Sequence, residues 1–290
     1  MPLPRRHAAR CLSAMLLGTL GCGIGSEPDG IEVVIPFEAR VGSEPFACGR
    51  VYSGLGTTGT TYEPMEYRLY LHDLRLVTAA GAEVALRLDQ DSVWQREGTV
   101  LLDFADKSGL CTNGTQATNH LVRGRAPAGE YTGVRFKVGV PASLNHLDAS
   151  TAPAPLNDMS MFWSWRSGYL FMRIEGRTEG LTEGHFMHLG STNCAPPPEG
   201  QTQGTAGCEF GNRPEVALDA FDLERSKVVM DLKAFYAGTN LDVNANVPNT
   251  AIGCMSQPTD PDCIDVFARL GLSHPGQPQA PGPQSFFQVE

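Results

Sequence analysis

At 290 residues the chain has room for one large domain or two ordinary ones. Hydrophobic residues make up 41% of it, which excludes wholesale disorder, and a net charge of −10 excludes gripping nucleic acid or an anionic membrane through the overall field. With only 19% charged residues, 32 Gly and 21 Pro, the composition is turn-rich and points to short strands rather than a helical bundle.

Residues 1–21 read as an export signal. Arg5, Arg6 and Arg10 form its positive part, and Leu12 to Leu20 form an apolar run too brief to stay in a membrane. Thr19-Leu20-Gly21-Cys22 resembles a bacterial lipoprotein signal, with Leu20 one place later than the usual pattern. Lipidation of Cys22 and ordinary cleavage both stay open, and the expected location is the periplasm or an outer-membrane lipid anchor. Loss of the three arginines with no acid takes the net charge from −10 to −13. Residues 22–30 form a polar tether, and residues 31–290 are expected to form one domain. No run of 18 apolar residues follows the leader, so no spanning helix is expected.

Strands are expected at 31–37, 67–76, 99–104, 130–140, 162–174, 185–189, 215–221, 227–232 and 285–289, by alternation and by their turn-forming flanks. In 67–76, Tyr70, His72, Leu74 and Leu76 are expected on one face. In 130–140, Val134, Phe136 and Val138 share one face, with Arg135 and Lys137 on the other. A short helix is expected over 262–270, ended by Gly271. The expected fold is all-β, an antiparallel sandwich, Ig-like or related, with long disulfide-stapled loops and one or two short helices.

Of eight cysteines, Cys11 belongs to the leader and Cys22 is lost or lipidated. The remaining six allow 15 pairings. None stands in a C-x-x-C pair, so a zinc knuckle or thioredoxin-type site is not expected. Cys194 with Cys208 and Cys254 with Cys263 each flank a Pro/Gly-rich loop and read as local staples. Cys48 with Cys111 follows by elimination.

The chain has no G-x-S-x-G, H-E-x-x-H, Walker, G-x-G-x-x-G or C-x-x-C-H motif, so no enzyme class is indicated. No D-x-D-x-D-G loop offers a calcium site. Among the histidines, His7 lies in the leader, His120 in a polar loop and His274 in a Pro/Gly-rich tail. His72 lies on a strand and His146 in the loop leaving the 130–140 strand. His185 and His188 are three apart, so a strand points them to opposite faces, and His188 is the better ligand candidate. Residues 159–169 are unusual: Met161, Trp163 and Trp165 alternate along a strand-like run beside these imidazoles. Core packing is the ordinary reading of such a run. A thioether and indoles beside imidazoles also make a soft, oxidisable site suited to copper, above all Cu(I).

These segments resemble the MbnP-like family of exported copper-associated proteins, also called the metallo-mystery pair system four-Cys motif family. The matching runs include Pro-Phe-Ala-Cys48-Gly, Arg68-Leu-Tyr-Leu-His72-Asp, Cys111-Thr-Asn-Gly114, Leu144-Asn-His146, Met161-Phe-Trp-Ser-Trp165, His188-Leu-Gly-Ser191 and Gly253-Cys-Met-Ser256. They extend from about residue 37 to the C-terminus. The resemblance implies a partner, a dihaem enzyme of the MauG or bacterial cytochrome c peroxidase type (MbnH), which oxidises a tryptophan to kynurenine. The product binds copper. Carried over, His72, His146 and His188 are ligand candidates, and Trp163 or Trp165 is the candidate for modification, Trp163 slightly preferred and Trp94 third. Related proteins place the modified tryptophan two residues before a histidine, whereas here Tyr70 precedes His72 in that place.

The reading is therefore an exported copper-binding protein, Cu(I) ahead of Cu(II), that is not itself an enzyme but the substrate of one. His72 and His146 are expected close enough to share an ion. The rival is a surface lipoprotein that binds a sugar or another ligand through exposed aromatics, without metal.

Overall fold

The computed structural model describes residues 30–290 apart from Trp165, residues 201–203 and Pro278. The export signal, Cys22 and Trp165 thus lie outside the described residues. Alternation builds the sandwich. In Ile31–Val41 every second residue from Val33 to Val41 is buried. In Tyr131–Val138, Val134, Phe136 and Val138 are buried on one side. The two strands belong to different sheets, and Phe37 meets Phe136 edge-on at 5.7 Å between them. Each such aromatic contributes roughly 1.5–3 kcal/mol by burial.

The larger sheet has nine strands, with His185–Leu189, Met172–Thr178, Thr60–Thr78, Tyr131–Val138 and Glu215–Asp219 in that order across it. The smaller has six, running Phe287–Val289, Val228–Asp231, Ile31–Val41, Leu121–Ala126 and Arg87–Leu88, with Glu44–Pro45 paired to the end of Ile31–Val41. Ile31–Val41 and Val228–Asp231 pair in parallel, within a sandwich whose other strand pairs are antiparallel. The helices are Leu232–Phe235 and Cys263–Arg269. Among the described residues no helix is long and apolar enough to cross a membrane.

Three differences from the sequence expectation have physical causes. The strand expected over 162–174 is broken into Phe162–Ser164, Gly168–Tyr169 and Met172–Thr178. Gly168 has φ +81, and a Cβ there would lie 2.5 Å from Asn145, so only glycine makes this turn. Leu121–Ala126 is a strand whose inward residues are Val122, Gly124 and Ala126, too small for alternation to stand out. The third difference is a β-bulge in Thr60–Thr78. His72 pairs Lys137 and Arg75 pairs Arg135, so one extra residue stands on the long strand, where Asp73 has φ 53. The bulge swaps faces. Leu74 and Leu76 join Leu69 and Leu71 against the core, while His72 shares the outer face with Glu66, Arg68 and Tyr70. The expected grouping of His72 with Leu74 and Leu76 is therefore corrected.

The three disulfides are Cys48–Cys111, Cys194–Cys208 and Cys254–Cys263, the pairing expected from the loops. With all six bonded, titration of unfolded, unreduced mature protein with a thiol reagent should find no thiol from these residues. Two or more equivalents from them would contradict the framework.

Candidate metal centre

The outer face of the larger sheet carries the polar groups that sequence patterning leaves inside an apolar strand. The described residues between Gly139 and Phe171, which both bond the Tyr70 backbone, lie over this face and bury it. Arg68 is fully buried and hydrogen-bonds Glu66, also fully buried, through Nε at 2.8 Å and through Nη2. Its guanidinium also reaches Asp158 and Ser160 of the covering segment. Tyr70 Oη donates to the Pro155 carbonyl at 2.9 Å, and Arg173 Nη1 donates to the Ser160 carbonyl at 2.7 Å. These contacts fix the segment that carries Trp163.

His188 sits beside this network. Its Nε2 lies 2.6 Å from Glu175 Oε1, so the ring N–H donates to the carboxylate. Its Nδ1 is buried with no hydrogen-bond partner. Burial works to raise the Glu175 carboxyl, but hydrogen bonds from His188 and Arg173 outweigh it and hold the group below the usual carboxylate value. A carboxylate that fixes one imidazole nitrogen and leaves the other as donor is the arrangement metal-ligating histidines use. The half-buried Trp163 indole stands next to it, ring centroids 6.3 Å apart, and packs against Gly190, where a Cβ would fall 2.5 Å from the indole. Trp163 borders a cavity of about 440 Å³ with Arg166, Thr192 and Met255, so it lies near the surface.

His72 is held differently. Its Nδ1 lies 2.8 Å from the Gly139 carbonyl, which can only accept, so Nδ1 carries the proton and Nε2 the lone pair. Burial lowers its pKa to about 4, so the ring is neutral at pH 7; the Gly139 bond opposes the shift and the nearby Arg213 charge adds to it. Arg213 itself is lowered to about 10 by burial and lies over the Phe171 ring at 4.5 Å. Arg213 also lines, with His146, a cavity of about 380 Å³. His146 Nε2 receives a hydrogen bond from Asn145 Nδ2 at 3.0 Å and lies 3.5 Å from Cys208 Sγ.

The strand register separates His72 from His188. The residue aligned with His188 across Arg173 is Arg68. His72 is four residues further along and two strands across, about 15 Å at ordinary strand spacing. His146, Cys194 and Cys208 form the one group of three or more His, Cys, Asp or Glu side chains, among the described residues, whose ligand atoms all lie within 4.8 Å of one another. His185 faces the opposite side from His188, as its spacing implies. It packs against Tyr236 at 5.5 Å, both ring nitrogens lack partners, and burial lowers its pKa to about 4. His274, in the Pro/Gly-rich tail, is buried against Phe267. His120 stacks on Phe104 at 4.6 Å. Trp94 packs against the core on the Asp91 turn.

Residue patterning did not single out Glu66, Arg68, Arg173 or Glu175. The signal was there: a charged residue between Tyr67 and Leu69 in an apolar strand requires a buried partner.

The fold and the site together define a disulfide-stapled all-β protein with an imidazole-rich outer face buried by one long segment. The family model described as MbnP matches residues 31–256, and the chain belongs to the MbnP family. The solved structure of MbnP from Methylosinus trichosporium is similar, with 31% identity and a TM-score of 0.79, covering 90% of this chain and 99% of that one. No curated protein matches the chain.

Proposed function

We propose that the protein is an exported copper-binding protein whose site is completed when Trp163 is oxidised to kynurenine by a dihaem enzyme. The observation that carries this reading is the Trp163 indole beside His188, whose buried Nδ1 has no partner while Glu175 fixes Nε2. In this reading the chain is the substrate of a redox enzyme and performs no catalysis itself. Indole nitrogen is a poor ligand because its lone pair belongs to the ring. Opening the five-membered ring leaves an aryl amine that keeps its lone pair. Together with neutral imidazole this gives a low-coordinate donor set suited to Cu(I). The oxidation breaks the indole C2–C3 bond and adds an oxygen to each carbon. Two molecules of hydrogen peroxide supply these oxygens and leave as two molecules of water. Hydrolysis of the resulting N-formyl group, which takes up one water and releases formate, then leaves the residue about 4 Da heavier than tryptophan.

The test is peptide mapping and Cu(I) titration after reaction with the partner enzyme and peroxide. Fragmentation within residues 161–166 is expected to place the added mass on Trp163. Copper is expected to bind the oxidised protein and not the unmodified one. Trp163→Phe should abolish the gain. His188→Ala should weaken binding at least about tenfold, since even the partners of metal ligands are worth that much. His72→Ala and His146→Ala, measured alongside, identify any second imidazole. Added mass on Trp94 or Trp165 alone, or equal copper binding before and after oxidation, would end the assignment.

A further inference from the structure

The Cys194–Cys208 disulfide differs from the other two in its surroundings. Cys111, Cys254 and Cys263 are fully buried, so each of the other two bonds has at least one sulfur sealed in the core. Cys194 and Cys208 are both partly exposed, and Cys208 lines the cavity of about 380 Å³ together with His146, Ser191 and Arg213. Thiol exchange requires a thiolate to reach a disulfide sulfur, so the accessible bond is the one a reductant opens first. At the same place a third donor is already positioned. His146 Nε2 is 3.5 Å from Cys208 Sγ, and it and both sulfurs lie within 4.8 Å of one another. The tautomer is fixed by its neighbour. Asn145 Oδ1 accepts from Tyr169 N at 3.0 Å, so Nδ2 is the atom facing His146, and Nε2 is the acceptor whose lone pair a cation takes in place of the Asn145 N–H.

We propose that two-electron reduction of Cys194–Cys208 converts this corner into a His146–Cys194–Cys208 site for a soft, thiophilic cation. The inference does not rest on oxidation of Trp163. A dithiol reductant is oxidised to its own disulfide as the Cys194–Cys208 bond breaks, giving two thiols. Both thiols lose their protons when the cation binds, so the site holds two thiolates and one neutral imidazole. In the disulfide form the sulfurs carry no charge and offer only weak donors, so the bond acts as a redox gate on metal binding.

The ligand positions do not depend on the S–S bond. Thr192 pairs Phe210 on one side of it. On the other, Ala195 N donates to the Gly207 carbonyl at 2.8 Å and Ala206 N to the Pro196 carbonyl at 3.1 Å. Thr192 Oγ1 also ties the hairpin to the Ser256 carbonyl at 3.1 Å. The two cysteines are directly opposed across this hairpin, with Cα atoms 3.8 Å apart, so freed sulfurs stay together.

The experiment uses unmodified full-length mature protein, never exposed to the partner enzyme, with Cd²⁺ as the probe. Limiting dithiothreitol on the folded protein is expected to release two thiols, which alkylation and peptide mapping assign to Cys194 and Cys208. The reduced protein should then bind one Cd²⁺ with a thiolate-to-cadmium absorption band that the disulfide form lacks. His146→Ala should weaken binding at least about tenfold. Reduced wild-type protein alkylated at the two thiols, and the Cys194→Ser/Cys208→Ser variant, should both show no band. The alkylated protein keeps the comparison valid if that variant does not fold. Release first of Cys48–Cys111 or Cys254–Cys263 would overturn the proposal. So would equal cadmium binding in the disulfide form, or binding unaffected by His146→Ala.

Discussion

Arg68→Ala is expected to destabilise the protein by about 3–5 kcal/mol, the usual effect of removing one partner from a buried ion pair. The Arg68 and Glu66 side chains are both fully buried, and Asp158 is the partly exposed third member. Burial works against the Arg68 charge, but the hydrogen bond and the attraction of Glu66 raise its pKa above the ordinary arginine value. Taking the arginine away leaves a carboxylate in the interior with neither charge partner nor water. It also frees residues 158–160, which hold Trp163 in place through Arg68. Denaturant midpoints measure the loss. Arg68→Met combined with Glu66→Leu should cost much less than Arg68→Ala, because no charge is then stranded. A single variant within about 1 kcal/mol of wild type would show that the pair does not anchor the covering segment.

His185→Leu is expected to gain stability over wild type as pH falls, by about 3 kcal/mol between pH 7 and pH 4. His185 ionises near its ordinary value of about 6.5 when unfolded but only at about 4 when folded. Between those values the unfolded chain binds more protons, so the stability that neutral His185 contributes is complete above pH 6.5 and is lost as pH falls toward 4. Leucine removes that loss. It also removes two ring nitrogens buried without partners, so no large penalty is expected at pH 7. His72, lowered to about 4, acts in the same direction.

Two carboxyls oppose them. Burial raises Asp103 to about 7 and Asp260 to about 6. Each binds its proton more tightly when folded, so each contributes stability at low pH that is lost as pH rises through its folded value. The four groups act in opposite directions over this window. The signs are therefore read from variants. Urea midpoints of His185→Leu and wild type at pH 7 and pH 4 test the first, and Asp103→Asn should show the opposite trend. A pH-independent difference for His185→Leu would mean that its ring is hydrated in the folded protein.

The covering segment is what turns a sandwich face into a site. Without residues 139–171, Glu66, Arg68, Tyr70 and His72 would be an ordinary solvated outer face of an antiparallel sheet. Under it, Glu175 and His188 form a buried carboxylate–imidazole pair, and Trp163 is pressed against Gly190. The glycine matters because any side chain there would meet the indole.

By itself the sequence determined the class of fold, because alternation is local. Val33 to Val41 and Val134 to Val138 alternate in the chain as they do in the sheets, and His185–Leu189 begins and ends where its pattern does. It determined the disulfides, because short Pro/Gly-rich loops bring their own ends together and leave a single partner for the remaining pair. It also brought His72, His146, His188 and Trp163 to attention by residue type. What only the tertiary structure decided is which of them meet. One extra residue at Asp73 puts His72 on the outer face and Leu74 on the inner one, and a one-residue shift leaves no trace in composition. Strand order sets His188 beside Arg173 and Glu175 rather than beside His72, since register depends on pairing between distant segments. The contacts of Trp163 with His188 and of His146 with Cys208 join residues 25 and 62 positions apart, so only the folded chain brings them together.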